Sequence, residues 1–350
     1  TRLVGSEMCI RDSFMSERKD RNKRNCWLTY TNEKTHEIIR ENIMRAPKYA
    51  GKIHGIGARY CPSIEDKVVR FADKDRHQLF VEPEGLDTTE MYVQGMSTSM
   101  PIDVQYAFLR TIPGFEDVKM MRPAYAIEYD LLDPLQLYPT LEVIKLPGLY
   151  SAGQSNGTSG YEEAAAQGLV AGINAALKIQ GKDPFILARH EAYIGSLVDD
   201  LVTKGADEPY RMMTSRSEYR LILRQDNADL RLTEKGHSIG LVGEERYARF
   251  LDRKKKYEEA MDYIRTQRFT PKEEINRALE SMGTAPLTTG TGADQILKRP
   301  EMTYRKMMET LGCPSFDEEA VEEMEITVKY EGYIARQEAA VRKAARMENE

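Results

Sequence analysis

The chain has 350 residues, 41% of them hydrophobic and 30% charged, with a net charge of −6. That balance belongs to a globular protein rather than a disordered one, and at roughly 150 residues per domain the length allows two. No run approaches the roughly 18 consecutive apolar residues of a membrane-spanning helix, so a cytoplasmic protein without a membrane partner is expected. The negative charge excludes a protein that coats nucleic acid indiscriminately, leaving any RNA to local basic patches.

The opening TRLVGSEMCIRDS, residues 1–13, lacks periodicity and joins poorly to the residues after it, so it is set aside as a non-native scar together with Cys9. Arg18, Lys19, Arg21, Lys23 and Arg24 then crowd together. A β-rich run from Cys26 precedes Thr31-Asn32-Glu33, and a helix through Ile38, Ile39 and Ile43 stops before Pro47. From Gly51 to Tyr150, HQLFVEP, EMYVQG, AYAIEYD and GLYSAG read as short strands of a mixed sheet. An Ala- and Gly-rich helix over Glu162 to Ile179 is closed by Gly181, which sets a domain boundary at 181/182. Beyond it, HEAYIGSLVDDLVTK, ERYARFLDRKKKYEEAMDYI and the stretch after Phe316 are amphipathic helices. Residues 14–181 are therefore expected to be α/β and residues 182–350 mostly helical.

Three stretches carry possible chemistry. In GLYSAGQSNGTSGYEEAAAQG, a short buried strand at Leu149 and Tyr150 runs into a loop with Gly153, Gly157 and Gly160 that opens the helix. Backbone N–H groups and the positive helix end would face any ligand above the strand, which suits a phosphate or an anionic flavin ring. Gln154 and Asn156 add neutral hydrogen-bonding side chains, and the small residues Ala164, Ala165, Ala166, Gly168, Ala171 and Gly172 would let the helix lie close on a sheet. A helix that merely needs close packing predicts the same text, and neither GxGxxG nor GxxxxGK[ST] is present.

In GARYCPSIEDKVVRF, residues 57–71, Cys61 follows Arg59 and Tyr60 in a loop. A guanidinium stabilises thiolate, which can add to C6 of a pyrimidine and make C5 nucleophilic; a small buried residue is the plainer reading. Glu65, Asp66, Lys67 and Arg70 also read as a surface ion-pair group. Cys26 and Cys313 read as ordinary buried cysteines, and without CxxC spacing neither a metal site nor a disulfide is expected.

In the third stretch, residues 208–236, Arg216, Arg220 and Arg224 recur at spacings of four and would line one helix face, with Arg211 before them and Asp199 and Asp200 as partners. An RNA-facing stripe and an internal salt-bridge ladder predict the same spacing, and Tyr210 and Tyr219 read as base-stacking or core residues.

Taken together, CWLTYTNEKTHEIIREN, RYCPSIEDKVVRFADKDRHQLFVEPEGL, RPAYAIEYDLLDP, AGQSNGTSGYEEAAAQGLVAGINAA, LVDDLVTKGADEPYRMMTSRSEYRLILRQDNADLRLTEKG, RPEMTY and VKYEGYIARQ closely resemble the MnmG (GidA) family. This is the flavoprotein subunit of the tRNA uridine 5-carboxymethylaminomethyl modification system. The resemblance implies an α/β Rossmann-like flavoprotein domain, incomplete here with its N-terminal half absent, carrying a mixed-sheet insertion and followed by a mostly α-helical C-terminal domain. It implies FAD, reduction by NADH, methylenetetrahydrofolate as one-carbon donor, a homodimer, the GTPase MnmE as partner, and C5 modification of the wobble uridine of tRNA.

Residue by residue, it places the flavin contact on Gln154, with Gly153, Asn156, Gly157 and Gly160 around it. Its nicotinamide-associated segment falls on Gly57, Arg59, Tyr60, Ser63, Glu65, Lys67 and Phe71, and one of its two functional cysteines on Cys61. RNA contact is expected at Arg211, Arg216, Arg220 and Arg224. Ala58 stands where the family usually has proline. The family's N-terminal glycine-rich loop, its other functional cysteine and its C-terminal end are expected to lie outside this sequence, so this polypeptide alone is expected to hold FAD weakly or not at all and to be inactive. The competing readings are a related folate- and FAD-dependent tRNA uridine methyltransferase, against which the 208–236 block argues, and a noncatalytic tRNA-binding fragment. A flavin disulfide reductase is disfavoured by the absence of a redox CxxC or CxxxxC pair.

Overall fold

In the computed structural model the described residues are 24–53 and 62–347. The set-aside opening, residues 1–13, lies outside them. The chain divides into one unit of Thr1–Ala175 with Asp200–Arg211 and another of Ala176–Asp199 with Met212–Glu350. The cut thus falls within the Ala-rich helix, ahead of the expected 181/182 boundary, and the chain returns briefly to the first unit.

The first unit begins with β1 (Trp27–Tyr30), which pairs antiparallel with β2 (Gln78–Pro83), itself antiparallel to β3 (Met91–Gln94). Leu79 and Val81 of β2 turn inward while Phe80 between them stays exposed, the period of two that a one-sided sheet requires. Asn32 starts α1 (Glu33–Glu41): its side chain accepts from the Thr35 N–H at 3.1 Å, and Thr35 Oγ1 accepts from the Asn32 N–H at 3.2 Å. This reciprocal cap satisfies two donors that a helix start otherwise leaves open. Ile39 of α1, Ile64 and Val68 of α2 (Ile64–Arg70), Leu79, and Val104 and Phe108 of α3 (Ile102–Leu109) form the core.

Two expectations need correction. The sheet is antiparallel, not mixed, among the described residues. Residues 124–130 and 148–153, read as strands, do not form them; Tyr150 makes an isolated bridge to Glu142, and Tyr125, Ile127, Tyr129 and Leu149 are exposed. A strand exists through its neighbour's hydrogen bonds, and no described segment offers these residues a ladder.

The Ala-rich helix forms as α4 (Tyr161–Ile179), and Gly181 ends it at φ +64°, with the Lys182 N–H reaching Leu177 O at 3.0 Å. A left-handed residue just past a helix suits glycine. Next comes α5 (Tyr193–Lys204), which also crosses the division of the chain.

The second unit is mostly helical: α6 (Ala228–Ser238), α7 (Glu244–Thr266), α8 (Glu273–Ser281), α9 (Ala293–Leu297), α10 (Tyr304–Leu311) and α11 (Glu318–Met347). Two short strands, β4 (Arg268–Phe269) and β5 (Thr291–Gly292), pair between them. Ile264, Leu279, Ile296, Leu297, Met302, Tyr304, Met307 and Met324 are fully buried in its core.

Residues 212–227 of this unit contain a 3-10 turn, Thr214–Arg216, but no α-helix. Their shape is set by α11. Gln337 Oε1 accepts from the Leu221 and Ile222 N–H groups at 3.1 and 3.2 Å, while its Nε2 donates to Glu218 O at 3.1 Å. Arg224 donates through Nε to Asp226 at 2.9 Å, through Nη2 to Glu323 at 2.6 Å and through Nη1 to Leu221 O at 2.8 Å. Thr327 Oγ1 donates to Glu323, and Arg231 donates through Nη2 to Arg224 O at 3.0 Å.

Burial, with the Asp226 carboxylate beside it, pushes Glu323 up to about 8 even though Arg224 pulls the other way. Asp226 is half-buried, which raises it, yet its hydrogen bonds to Glu323 and Arg224 hold it below its ordinary value. One guanidinium between two carboxylates that share a proton leaves the cluster near neutral.

Replacing Ile296 by alanine in the second unit's core should cost about 2–5 kcal/mol, read from urea denaturation. The raised Glu323 makes the folded state bind a proton more tightly than the unfolded one, so its contribution is complete below the unfolded value of about 4.5 and is lost as pH rises toward 8. Denaturation midpoints of the parent should accordingly fall between pH 5 and 8, and Glu323→Gln should flatten that slope; an unchanged slope contradicts the shared proton.

Candidate functional site

The glycine loop lies in the first unit, where residues 151–160 are gripped from several directions. The expected buried strand ahead of it is absent, and Leu149 is 48% exposed. Gly153–Asn156 form a 3-10 turn bracketed by left-handed glycines, Gly153 at φ +74° and Gly157 at φ +70°. A Cβ on Gly153 would sit 3.1 Å from the Ala164 Cβ, and one on Gly157 would sit 3.3 Å from the Ala206 Cβ. Both positions therefore need glycine for conformation and for close approach. The Leu132 N–H donates to Ser155 O at 2.7 Å, and the Tyr210 N–H to Gly157 O at 2.9 Å.

Beneath the turn is a buried polar network. Gln167 of α4 accepts from the Gly153 N–H at 2.8 Å and from Asn156 Nδ2 at 3.0 Å, both on Oε1. Asn156 Nδ2 also donates to Ser151 O at 2.9 Å, and the Ser151 hydroxyl donates to Asn156 Oδ1 at 2.5 Å. Above it, Gln154 is exposed and its Nε2 donates to Asp130 O at 2.9 Å. Sequence reasoning missed Gln167. The signal was there: Glu163, Gln167 and Asn174 fall with Val170 and Leu177 on one buried helical stripe, where polar side chains call for partners.

The helix end differs from the expectation of an open positive terminus. Glu163, 6% exposed in the first turn of α4, folds back toward Gly160, and Arg211 Nε lies 3.4 Å from its Oε1. A carboxylate complements the N-terminal dipole, so this end already carries its anion. A Cβ at Gly160 would meet the Glu163 carboxylate and the Arg211 guanidinium, so a side chain there would have to displace that pair. The small-residue face also differs: Ala165, Gly168, Leu169 and Gly172 are exposed, and no described sheet covers them.

The loop thus presents neutral amides and close backbone rather than a bare anion hole. The Gln167 Nε2 donor is buried without an acceptor among the described residues. Neutral amides held in one geometry suit a neutral hydrogen-bonding ligand edge better than a bare phosphate.

Of the second expected set, Gly57, Arg59, Tyr60 and Cys61 lie outside the described residues. Ser63 caps α2, its Oγ accepting from the Asp66 N–H at 3.2 Å. Glu65 is buried, and its Oε1 accepts from the Ser99 N–H and hydroxyl at 3.0 and 2.9 Å. Lys67 Nζ donates to Gly95 O at 3.2 Å, and Phe71 is exposed at the helix end. Asp66 is buried too, receiving Lys48 Nζ at 2.7 Å and the Tyr49 hydroxyl at 2.9 Å. Burial raises the Asp66 carboxyl, but those two donors outweigh it and hold the group below its ordinary value. Burial and the same contact push Tyr49 up to about 12. Glu65 and Asp66 are therefore inward anchors of α2, not members of a surface ion-pair group.

The third set is dispersed. Arg211 belongs to the first unit; Arg216, Arg220 and Arg224 belong to the second and share no helix face. For Arg224, with its side chain 13% exposed between Asp226 and Glu323, the internal salt-bridge reading is the one realised. Arg220 is exposed and Arg216 half-buried, its carbonyl accepting from Arg189 Nη2 at 3.0 Å. Tyr210 is buried with its hydroxyl donating to Asp200 at 2.9 Å, and Tyr219 stands edge-on to His190 with ring centroids 6.1 Å apart. Asp199 pairs with Arg189 at 2.9 Å, and Asp200 with Lys204 at 2.6 Å.

The family model for glucose inhibited division protein A matches residues 3–183, and that for the tRNA modifying enzyme MnmG/GidA C-terminal helical domain matches residues 244–338. The tRNA uridine 5-carboxymethylaminomethyl modification enzyme MnmG of Clostridium kluyveri is 56% identical over 346 residues, 99% of this chain and 55% of its own length. The Enterococcus faecalis enzyme of the same name is 58% identical, with 94% of this chain and 52% of its own length covered. The chain thus spans about half the length of the curated relatives it matches. Among solved structures, Aquifex aeolicus GidA in its form II crystal is 46% identical with a TM-score of 0.79, covering 94% of this chain and 51% of that one. With its first half matched by one family model and its helical part by another, the chain belongs to the GidA (MnmG) family.

Proposed function

We propose that the protein of which this chain forms a part modifies C5 of the wobble uridine of tRNA, adding an aminomethyl or carboxymethylaminomethyl group. The observation that carries this is the match at 55–58% identity, over nearly the whole chain, to enzymes named for that modification. In this reading the protein is cytoplasmic, binds FAD, takes reducing equivalents from NADH and a carbon from methylenetetrahydrofolate, and works as a homodimer with the GTPase MnmE.

The turn Gly153–Asn156, with Gln154, Gly157 and Gly160, would hold the flavin, which when bound supplies the hydride chemistry. The first unit would complete a Rossmann-like domain with sheet strands from elsewhere in the protein. Two features support that reading: the exposed stripe of Ala165, Gly168, Leu169 and Gly172 on α4, and the apolar side chains exposed along 125–149. Burying such apolar surface is favourable at about 25 cal/mol per Å², so an open face this large belongs against a partner surface.

Ser63, Glu65, Lys67 and Phe71 would shape the nicotinamide-associated segment, the first three by anchoring α2 from within. Cys61 would act as a thiolate that adds to C6 of the uridine and raises electron density at C5. Arg211, Arg216 and Arg220 would contact tRNA phosphates, with Arg224 fixing the loop that carries Arg220.

The test is nucleoside mass spectrometry of tRNA from cells lacking the endogenous enzyme, supplied with the full-length protein carrying this sequence or its Cys61→Ser variant. The parent should restore the C5-modified wobble uridine and the variant should not. A ribothymidine-type methylation instead would favour the related methyltransferase. No modified nucleoside from a soluble, flavin-loaded parent would favour the noncatalytic tRNA-binding reading.

A further inference from the structure

We propose that Gln167 is the positioning residue of the flavin-binding turn, acting through its amide oxygen, an inference that rests on the flavin reading of the glycine loop. Gln167 is 0% exposed, in the second turn of α4, and lies directly under the loop. Its Oε1 is where two donors of the loop converge, the Gly153 N–H at 2.8 Å and Asn156 Nδ2 at 3.0 Å. Because both are donors, they fix the orientation of the amide: the oxygen must face the loop, and Nε2 must face away.

That leaves Nε2 buried with no acceptor among the described residues. A buried donor without a partner is costly, so a residue selected for stability alone would not be an amide here. The acceptor is the half of the side chain in use. It ties together the first residue of the turn, which needs φ +74°, and Asn156, the last, which is held in turn by Ser151. Gln154 lies between those two in the turn, so its backbone is placed by them, while its exposed side chain donates to Asp130 O at 2.9 Å. Removing the acceptor would release both ends of the turn and leave the Gly153 N–H buried without a partner.

The experiment uses the full-length protein with Gln167→Glu and Gln167→Met, titrated with FAD by flavin fluorescence, with the bound visible spectrum and apoprotein melting recorded. Glutamate keeps an acceptor for both donors and has no stranded N–H; methionine keeps the bulk and has no acceptor. Gln167→Met should weaken FAD binding about tenfold or more and shift the bound flavin spectrum, whereas Gln167→Glu should stay within about threefold of the parent. A methionine variant that binds FAD as the parent does, with the parent's spectrum, overturns the proposal regardless of its melting temperature. So does a glutamate variant that loses as much as methionine. A parent that takes up no flavin overturns the flavin reading itself, and this proposal with it.

Discussion

A polar group taken out of water must find a partner, and in the first unit that requirement is concentrated under one turn. Gln167, Asn156 and Ser151 are all buried, and their hydrogen bonds fix where Gly153 and Asn156 can be. The left-handed glycines make the turn sterically possible; the amides make it a single conformation. Glu163 and Arg211 then close the helix end beside it, so that the loop offers a ligand hydrogen-bonding geometry rather than net positive charge.

The second unit solves a different problem in a similar way. Residues 212–227 have little regular structure of their own, and a helix far along the chain holds them, Gln337 through the backbone groups of 218, 221 and 222 and Glu323 through the Arg224 guanidinium. This explains why an arginine spacing of four, a helix signature by itself, does not become a helix: long-range partners outcompete the i to i+4 pattern. The coupling of Glu323 to the half-buried Asp226 and to Arg224 lets the Glu323 carboxyl be buried without an uncompensated charge.

Much of the fold was legible where the determinants are local. The short strand within HQLFVEP, the glycine stop at Gly181 and the long amphipathic helices each depend on neighbours in sequence, and each formed where expected. The loop after residue 151 was also legible as a glycine-dependent turn, because Gly153 and Gly157 are closely spaced, whereas the part given to Gln154 rests on the family resemblance. The features that sequence reasoning could not supply depend on contacts between distant segments. The apolar runs 124–130 and 148–153 look like strands, yet no described strand lies beside them. Glu65 and Asp66 look like surface carboxylates, yet Ser99, Lys48 and Tyr49 draw them inward. Gln167 was hidden among alanines and glycines although its place on the buried stripe of α4 marked it.

The proposed function places the flavin against the turn Gly153–Asn156. Hydrogen exchange of the full-length protein with and without FAD tests this most directly. Slowed exchange at the backbone amides of residues 153–160 on adding FAD is the predicted result. Flavin binding that leaves these amides unchanged while protecting others would contradict it.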